Sequence, residues 1–531
     1  DKENGDGATA YQPGGIGWYR KHFDAPANEN QLVFVLFDGI YNHSQVWCNG
    51  QRLGENPYGY SPFWFDLTPT LQADDAEQVL TVRVDHSRYV DSRWYTGSGI
   101  YRDVKLITKP RLHIPIWGTR LTTPEITDER ATVEIEVSVK NAYDHERTAT
   151  VRTLFIDADD NQVAVAETPV SLVADEDITC TQSVAINEPQ RWGLEQPYRY
   201  RAVTTLESDG HVLETYETPF GIRSFRFDVN EGFFLNGENM LIKGVCLHHD
   251  AGLVGSAVPD GVWRRRLAVL KEMGCNAIRT AHNPPSANFL DLCDEMGFLV
   301  QLEFFDEWDV PKDKRLNLYE RHVDSISRGY AEDFTEWAES DLKRTMLRDR
   351  NHPCIFQWSI GNEIEWAYTR YKDATGYFDD DAQENWFWTK PPIAADEIRA
   401  RFEASPEGEY TLTAAAEKLA RWTREMDTTR PVFSNCVLPS VSHETGFTKL
   451  LDVIGYSYRQ VMYDRNHELY PDEVFMGGEI LGQWHEWKHV IERPFVSGLF
   501  YWTGIHYLGE AHNRWPYKAS PSGMVDLAGF E

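Results

Sequence analysis

The chain has 531 residues, and its 41% hydrophobic and 25% charged content is ordinary for a globular protein of about two to four domains. Its 83 acidic and 52 basic residues give a net charge of −31, a field that would repel nucleic acid and anionic membranes and that suits a neutral substrate. The sequence has no run of about 18 or more apolar residues, which excludes a membrane-spanning helix.

The chain opens with residues 1–10, which are polar and acidic and do not have the apolar segment of a secretory signal. A trimmed, exported protein would begin in the same way. The location is therefore unknown from the sequence, with a periplasmic or secreted protein as the preferred interpretation.

The first two fifths of the chain have the pattern of β structure. In residues 1–112 the apolar run Val33–Phe37 is typical of a buried strand, and Asn49-Gly50 is a strong hairpin signal. A second β unit covers residues 113–221, where Thr132–Val137 alternates between apolar and polar positions. Short strands at this spacing predict a β-sandwich.

From about residue 222 to residue 531 strands alternate with helices or long loops, the pattern of a (β/α)8 barrel. The first helix is predicted to run from Asp260, as N-cap, to Gly274, as C-terminal stop. The chain stops soon after the last strand, so we expect this barrel to be incomplete at its C-terminal end. The predicted strands are Leu241–Cys246, Asn276–Arg279, Phe298–Leu302, Ile355–Ile360, Val432–Asn435, Val453–Tyr456, Val474–Met476 and Gly498–Trp502.

Two glutamates stand where strands four and seven end, and strand ends at this face carry the functional residues of such barrels. Glu363 and Glu479 each follow an apolar strand and a short glycine-containing turn. Because strands four and seven lie across the barrel, both carboxylates can face one pocket. Glycoside cleavage uses such a pair, an acid and a nucleophile about 5–5.5 Å apart in retaining enzymes. The alternative is that each glutamate pairs with an arginine and only stabilises a loop.

Several long motifs are more specific than these patterns. They are Phe37–Tyr41, Val46–Gly50, Arg93–Arg102, Asn276–Pro285 and Arg350–Glu363. In this order they resemble glycoside hydrolase family 2, and within it the β-galactosidases. The resemblance covers nearly all of the chain. It implies an N-terminal jelly roll at 1–112, an immunoglobulin-like β-sandwich at 113–221 and a TIM barrel carrying the active site at 222–531.

The resemblance also implies roles for individual residues. Glu363 matches the family's acid/base and Glu479 its nucleophile, while Asn362 matches the asparagine that holds the sugar's 2-hydroxyl. Tyr458 matches a tyrosine that hydrogen-bonds the nucleophile, although it would also suit a satisfied buried phenol. The remaining matches are pocket residues: Arg279, His282, the wall residue Trp502, which would also suit plain core, and Asp91, reaching in from the jelly roll.

Three further residues are expected at the pocket: His248 after strand one, Glu303 after strand three and Trp484 in the strand-seven loop. His248 and its neighbour His249 would also suit a metal, but no partner stands at ligand spacing. The seven cysteines are scattered without metal-like spacing. Four of them lie in or beside apolar runs and are interpreted as small buried hydrophobic residues: Cys246, Cys275, Cys354 and Cys436. The turn after strand three also lacks the acidic-plus-histidine pattern that binds magnesium in the best-known β-galactosidase. We predict no cofactor, and a structural or activating metal ion stays open.

A long insertion follows strand four, from about Ala367 to Glu409. A loop of this length is usually functional or disordered, and its aromatic content predicts a folded lid that binds the leaving-group side. The alternative is that these rings pack against the barrel or a second subunit, and a homo-oligomer is possible. The aromatic residues are Tyr368, Tyr371, Tyr377, Phe378, Trp386, Phe387 and Trp388.

The sequence favours a retaining, exo-acting β-galactosidase that acts on oligosaccharides or polysaccharide-derived substrates. Gly361-Asn362-Glu363 differs from the Asn-Asn-Glu of the family's β-mannosidases. Its β-glucuronidases grip the sugar carboxylate with an Asn-x-Lys pair, which is missing from Lys518–Gly523. A β-glucuronidase, another β-uronidase or an algal-sugar glycosidase is the alternative, followed by a non-catalytic carbohydrate-binding homologue.

Overall fold

The computed structural model describes residues 7–24, 30–72, 77–88, 90–312, 314, 329–378, 389–408, 411–511 and 515–530. Within these residues a two-sheet β unit is followed by a β-sandwich and then by a closed barrel of parallel strands. This confirms the predicted fold class. In the described part of the chain no helix is long and apolar enough to cross a bilayer.

The N-terminal unit packs two sheets against each other, as a jelly roll does. Its core consists of side chains that alternate along the strands, such as Val33, Val35 and Phe37, all under 3% exposed. The strands are β1 (Ile16–Phe23), β2 (Gln31–Phe37), β3 (Ile40–Tyr41), β4 (Ser44–Cys48), β5 (Gln51–Asn56), β6 (Phe63–Asp66), β7 (Gln78–Asp85), β8 (Gly99–Ile100) and β9 (Val104–Pro110). The sheet orders are β1-β7-β4-β5 and β6-β2-β9, with β3 paired to β8.

The second unit is a sandwich of two antiparallel sheets. The strands are β10 (Leu112–His113), β11 (Thr119–Ile126), β12 (Arg130–Asn141), β13 (Arg147–Ile156), β14 (Gln162–Leu172), β15 (Asp177–Asn187), β16 (Tyr200–Ser208) and β17 (His211–Phe220). In β12 every second side chain from Ala131 to Val139 has no exposed surface, so the predicted alternation decides which face is buried. One sheet has the order β14-β13-β16-β17, and in the other β12 pairs with β10, β11 and β15.

A small antiparallel sheet precedes the barrel and packs beneath it. Its strands are β18 (Phe225–Asp228), β19 (Gly232–Leu235) and β20 (Glu238–Met240). The ring of Phe233 lies 5.7 Å from that of Phe356, which belongs to a barrel strand. This sheet closes the end of the barrel opposite the candidate site.

Eight parallel strands close into the barrel, and each coincides with one of the eight predicted strands. They are β21 (Ile242–Leu247), β22 (Ala277–Thr280), β23 (Leu299–Glu303), β24 (Ile355–Asn362), β25 (Val432–Cys436), β26 (Val453–Ser457), β27 (Phe475–Ile480) and β28 (Val496–Tyr501). Six of the eight strands are buried at every position, and β21 and β28 each have one residue that is not, as expected for a sheet that helices cover on the outside.

The helices of the described chain lie after β21 and between the later barrel strands. They are α1 (Asp260–Glu272), α2 (Ala287–Met296), α3 (Phe334–Asp349), α4 (Thr369–Ala374), α5 (Ala395–Ala404), α6 (Leu412–Met426), α7 (Pro439–Glu444), α8 (Tyr463–Leu469) and α9 (Trp484–Ile491). The predicted N-cap Asp260 is wrong, because Pro259 holds that position and Asp260 is the first helical residue. Gly274, with φ of +90°, follows the C-cap as predicted.

The jelly roll is joined to the loop that follows β28, which contains β29 (Tyr507–Leu508) and β30 (Ala519–Ser520). The backbone N–H of Tyr95 donates to the carbonyl oxygen of Leu508 at 3.0 Å, and that of Glu510 donates to the carbonyl of Arg93 at 3.2 Å. These bonds place the Arg93–Arg102 motif against the C-terminal face of the barrel.

Candidate active site

Glu479 lies in β27 and is the centre of a dense set of hydrogen bonds. Its Oε1 accepts from Nη1 of Arg279 at 2.6 Å and from Nδ2 of Asn435 at 3.3 Å. Its Oε2 accepts from the hydroxyl of Tyr458 at 2.8 Å. The side chain is only 5% exposed, so these donors replace water around the carboxylate. These bonds hold the Glu479 carboxylate in one orientation.

Arg279, at the end of β22, connects most of the other polar residues. It is fully buried and donates to the Glu303 carboxylate at 2.8–3.1 Å and to Oδ1 of Asn362 at 2.8 Å, in addition to Glu479. The planar guanidinium has five N–H donors in a rigid fork, which a lysine could not match. Arg279 therefore fixes three side chains from three different strands.

Glu303 and His282 form a second buried pair beside this guanidinium. Nδ1 of His282 lies 2.8 Å from Oε1 of Glu303, and the hydroxyl of Ser359 donates to Oε2 at 2.8 Å. Burial raises the pKa of Glu303 to about 7, although Arg279 and Ser359 act in the opposite direction. Burial, reinforced by the positive charge of Arg279, lowers the pKa of His282 well below 6.5, so its ring is neutral.

Glu363 has an environment unlike that of Glu479. It directly follows β24, is partly buried, and its Oε1 has no hydrogen-bond partner among the described residues. Burial, followed by the negative charge of Glu479, raises the pKa of Glu363 to about 8, while Lys312 and Arg93 act in the opposite direction. The carboxyl is thus protonated near neutral pH and can donate to a ligand.

The turn that carries Glu363 is held by its backbone. Glu363 has φ of +43°, a left-handed conformation that costs a non-glycine residue about 1 kcal/mol. Its N–H donates to the carbonyl of Asn435 at 2.7 Å. The indole of Trp308 donates to the carbonyl of Ile360 at 2.9 Å, and the hydroxyl of Ser434 to that of Gly361 at 3.0 Å. These bonds offset the strain and fix the direction of the side chain.

Sequence reasoning missed a charged cluster next to Asn362. Nδ2 of Asn362 donates to Oδ1 of Asp306 at 2.8 Å, and Lys312 donates to the same oxygen at 2.8 Å and to the Asn362 carbonyl at 2.7 Å. Arg93, from the jelly roll, joins Asp306 at 2.9 Å and Glu510 at 3.2 Å. Arg93 and Asp306 lie in segments that the sequence singled out, but nothing in their spacing indicates that they meet.

Asn435 is the other residue that sequence reasoning missed. It ends the predicted strand five, the position that identified the remaining candidates, so the strand-end rule would have found it. Its amide donates to both Glu479 and Asn362 Oδ1, each at 3.3 Å. Asn435 therefore links Asn362, the last residue of β24, to Glu479 in β27.

An aromatic wall faces these polar groups. The ring of Trp502 stacks on His282 at 5.2 Å with an angle of 8° between the planes. His248 lies within 5.5 Å of the rings of Trp94, Trp502 and Tyr507, and both its ring nitrogens are without hydrogen-bond partners in the described chain. Burial lowers the pKa of His248 well below 6.5, so it is a neutral wall residue.

Two predicted residues lie further from this cluster. Asp91 is buried and accepts from the hydroxyl of Tyr41 at 3.0 Å and from the amide of Asn42 at 2.8 Å. It lines a pocket between jelly roll and barrel that also reaches His282. Trp484 begins α9 and is 71% exposed. The structure therefore brings Asp91 towards the site and leaves Trp484 in solvent.

The predicted aromatic lid is wrong for three of its rings. Tyr368, Tyr371 and Tyr377 are at most 6% exposed, and the first two belong to the hydrophobic core of the barrel. Tyr371, for example, lies 5.1 Å from Phe402 and accepts from the hydroxyl of Thr445. Phe378 is 44% exposed. Trp386, Phe387 and Trp388 lie outside the described residues.

A possible metal-binding group lies at the opposite end of the barrel. Ligand atoms of Asp294, His352 and Cys354 lie within 4.8 Å of one another, just before β24 begins. Asp294 already accepts from the Cys354 N–H at 2.9 Å and faces Nδ1 of His352 at 2.6 Å, and burial raises the pKa of the thiol well above 9.0. These contacts are those of a hydrogen-bonded cluster. The seven cysteines are free, and Cys275 is half-buried, unlike the fully buried thiol expected there.

Three family profiles match the chain in the order of its domains. The sugar binding domain of the glycosyl hydrolases family 2 matches residues 6–110, the family's middle domain residues 115–223, and its TIM barrel domain residues 228–379. The resemblance of the motifs to this family is thereby confirmed.

Individual relatives agree with these profiles. The chain is 35% identical to the beta-galactosidase BoGH2A of Bacteroides ovatus, over all of this chain and 65% of that protein. It is 27% identical to a beta-glucuronidase of Bacteroides fragilis, over 94% of this chain and 70% of that protein. A crystal structure of a family 2 member from Bacteroides cellulosilyticus superimposes with a TM-score of 0.83 at 31% identity, covering 99% of this chain and 63% of that one.

The chain thus spans slightly less than two thirds of the length of two of these relatives. Over that span it has the domain order of the family and its barrel. The chain belongs to the glycosyl hydrolases of family 2.

Proposed function

We propose that the chain carries the active site of a retaining, exo-acting β-glycosidase, with Glu363 as acid/base and Glu479 as nucleophile. The observation that carries this proposal is the contrast between the two carboxyls. Glu479 accepts from Arg279, Asn435 and Tyr458. Among the described residues, Oε1 of Glu363 has no hydrogen-bond partner, and burial raises the pKa of its carboxyl. Pairs of carboxyls in environments that separate their proton affinities mark the acid and the nucleophile of a glycosidase.

The reaction has two displacement steps. In the first, Glu363 gives its proton to the glycosidic oxygen as the bond from that oxygen to the anomeric carbon breaks, and a Glu479 oxygen bonds to that carbon. In the second, the Glu363 carboxylate takes a proton from water, whose oxygen attacks the anomeric carbon and releases Glu479. Two inversions at one carbon retain the β configuration.

The remaining residues hold the sugar and the two carboxyls. Asn362, fixed by Arg279 and Asp306, is positioned for the 2-hydroxyl. The stacked rings of His282 and Trp502 offer an apolar wall with a polar edge, which suits a pyranose. Tyr458 and Arg279 stabilise the charge on Glu479 before and after the covalent step.

The charge balance of the site favours a neutral sugar, and a β-galactoside is the leading substrate. In the described part of the site, three cations lie near the carboxyl pair: Arg279, Arg93 and Lys312. Each already forms ion pairs, so a sugar carboxylate would have to displace one of these acids. Relatives named beta-galactosidase and putative beta-glucuronidase are both similar to this chain over nearly its whole length, so the preference for a galactoside rests on the charges. The acidic partners of the cations are Glu303, Glu479, Asp306 and Glu510.

A panel of aryl β-glycosides tests this proposal, with galactoside, glucuronide, glucoside and fucoside compared on the full chain. We expect the largest kcat/KM for the galactoside and loss of turnover in Glu479→Gln. A preference for the glucuronide would show that the substrate assignment is wrong, while the assignment as a glycosidase would stand. If sugars raise the melting temperature while no glycoside is cleaved, the chain is a non-catalytic carbohydrate-binding homologue.

A further inference from the structure

A third glutamate lies two residues beyond Glu363 and takes no part in the proposed reaction. Glu365 has no exposed surface, and its carboxylate faces away from solvent into the segment that follows β25. It accepts from the hydroxyl of Ser442 at 2.8 Å and from the N–H groups of Leu438 and Val437 at 3.3 and 3.4 Å. Its contacts therefore join the turn after β24 to the loop and helix after β25.

This carboxylate is an unusual choice for a buried position. In the part of the chain that the structure describes, Glu365 forms no ion pair, and burial raises its pKa above 4.5. A buried carboxylate without a cation is expensive to maintain, whereas an apolar side chain of the same size would fill the space at lower cost. What the carboxylate supplies is a set of directional bonds that an apolar side chain cannot make.

These bonds act on the turn that holds Glu363. Its left-handed backbone is fixed from the β25 side by the N–H bond to Asn435, three residues before Leu438. On the other side, a Cβ at Gly361 would come within 2.7 Å of the Ile364 side chain, so the turn has little room to relax. Further along the chain, Glu365 forms hydrogen bonds with the segment that directly follows β25, the strand that contains Asn435.

We infer that Glu365 is a positioning residue, which holds the Glu363 carboxyl at the height and angle needed for proton donation. This inference rests on the proposed acid/base role of Glu363. Glu365 would then affect the step that needs an acid, and leave the attack by Glu479 largely unchanged.

The test compares Glu365→Ala and Glu365→Gln with Asp427→Asn, a control at a second buried carboxylate, which differs from Glu365 in its ion pair with Arg430. Asp427 is also a buried carboxylate that accepts from a backbone N–H, that of Thr429 at 2.8 Å, and from the indole of Trp358 at 3.0 Å. It precedes β25, at the end of the barrel away from Glu363. Glu365→Gln keeps an acceptor oxygen and the size of the side chain, so it should recover much of the function that Glu365→Ala loses.

The first readout is kcat/KM for aryl glycosides of the best sugar, with good and poor leaving groups. For Glu365→Ala we expect a fall of about tenfold or more on poor leaving groups and at most about twofold on 2,4-dinitrophenyl glycosides, because only the former need the acid. Asp427→Asn should lower both equally or neither. Equal losses on both substrates in Glu365→Ala, or no loss in a folded variant, would overturn the inference.

The second readout needs no substrate. Hydrogen exchange should be about tenfold or more faster at residues 363–368 and 436–442 in Glu365→Ala, and unchanged there in Asp427→Asn. Unchanged exchange in both variants would also overturn the inference. Failure of the proposed function looks different, because Glu363→Gln would then retain full activity on poor leaving groups.

Discussion

Tyr458 and Glu479 are joined twice. The N–H of Tyr458 donates to the carbonyl oxygen of Glu479 at 2.7 Å, and its hydroxyl donates to Oε2 of the same residue at 2.8 Å. Tyr458 has φ of +55°, a conformation that non-glycine residues seldom adopt. The backbone bond holds that conformation, and the conformation aims the phenol at the carboxylate. The turn after β26 thus orients a side chain of β27.

Replacing Tyr458 with Phe removes the hydroxyl and keeps the ring and the backbone bond. A hydrogen bond to a charged group contributes about 1.5–3 kcal/mol, so kcat/KM should fall by about 10- to 150-fold. Steady-state kinetics on the best aryl glycoside measures the fall, and the melting temperature serves as the folding control. Unchanged kinetics would show that Tyr458 is a buried phenol without a role in the reaction.

Removing the carboxyl of Glu363 should slow the cleavage of glycosides to an extent that depends on their leaving group. In Glu363→Ala, glycosides with poor leaving groups should lose several orders of magnitude in rate, because no acid protonates the leaving oxygen. Azide should restore turnover of activated glycosides and give a β-glycosyl azide, detectable by NMR. Glu303→Ala would also be slow but should not give this product. An α-configured azide, or no azide product, would contradict the assignment.

The pH profile should have an alkaline limit set by Glu363. Glu363 acts as an acid only when it is protonated, and its pKa is raised to about 8. The value of kcat/KM should therefore be highest below that pH and fall as the pH rises through it. Lys312 lowers this pKa, so Lys312→Met should move the alkaline limb to higher pH. Lys343→Met, which removes a partly exposed lysine paired with Glu339 and Glu425, is the matched control and should leave the limb in place. A shift of the alkaline limb to lower pH in Lys312→Met would contradict the prediction that Lys312 lowers the pKa of Glu363.

Asp306 should act through Asn362. Asp306→Ala removes the acceptor that orients the Asn362 amide, so kcat/KM should fall by about tenfold or more on glycosides with a 2-hydroxyl and far less on 2-deoxy analogues. Asn362→Ala should show the same substrate dependence, and the double variant should lose little more than either alone. Additive losses in the double variant would mean that the two residues act separately.

The stereochemistry of the first product tests the double displacement. The β-anomer should appear first by NMR, and a crystal structure should place the carboxyl carbons of Glu363 and Glu479 about 5–5.5 Å apart. An α-anomer as first product, with a separation of about 9 Å, would indicate single displacement.

The barrel and its two glutamates were predictable because their signals are local. Each strand is a short apolar run, and the strand-end rule needs only the residue that follows, which is how Glu363 and Glu479 were found. The same rule, applied to strand five, would have given Asn435. The chain's own motifs gave the family, and with it the order of the domains.

The charged cluster around Asp306 was not predictable in this way. Arg93 is separated from Asp306 by 213 positions, and only the docking of the jelly roll on the barrel brings them together. The prediction that the aromatic residues of the insertion form a lid was wrong for the same reason. Tyr371 is core because Phe402 and Thr445 lie against it, and a count of aromatic residues cannot distinguish a ring that meets such partners from one that faces a ligand.

The ion pairs of Arg93 have a consequence for how this protein can be divided. An isolated barrel would present Asp306 and Glu510 side by side without the guanidinium that lies between them. The two acids would repel each other and compete for Lys312, and Asn362 would lose its fixed acceptor. Fragments or chimaeras that aim to retain activity should therefore carry the Arg93–Arg102 motif together with the barrel, since the boundary between domains does not coincide with the boundary of the site.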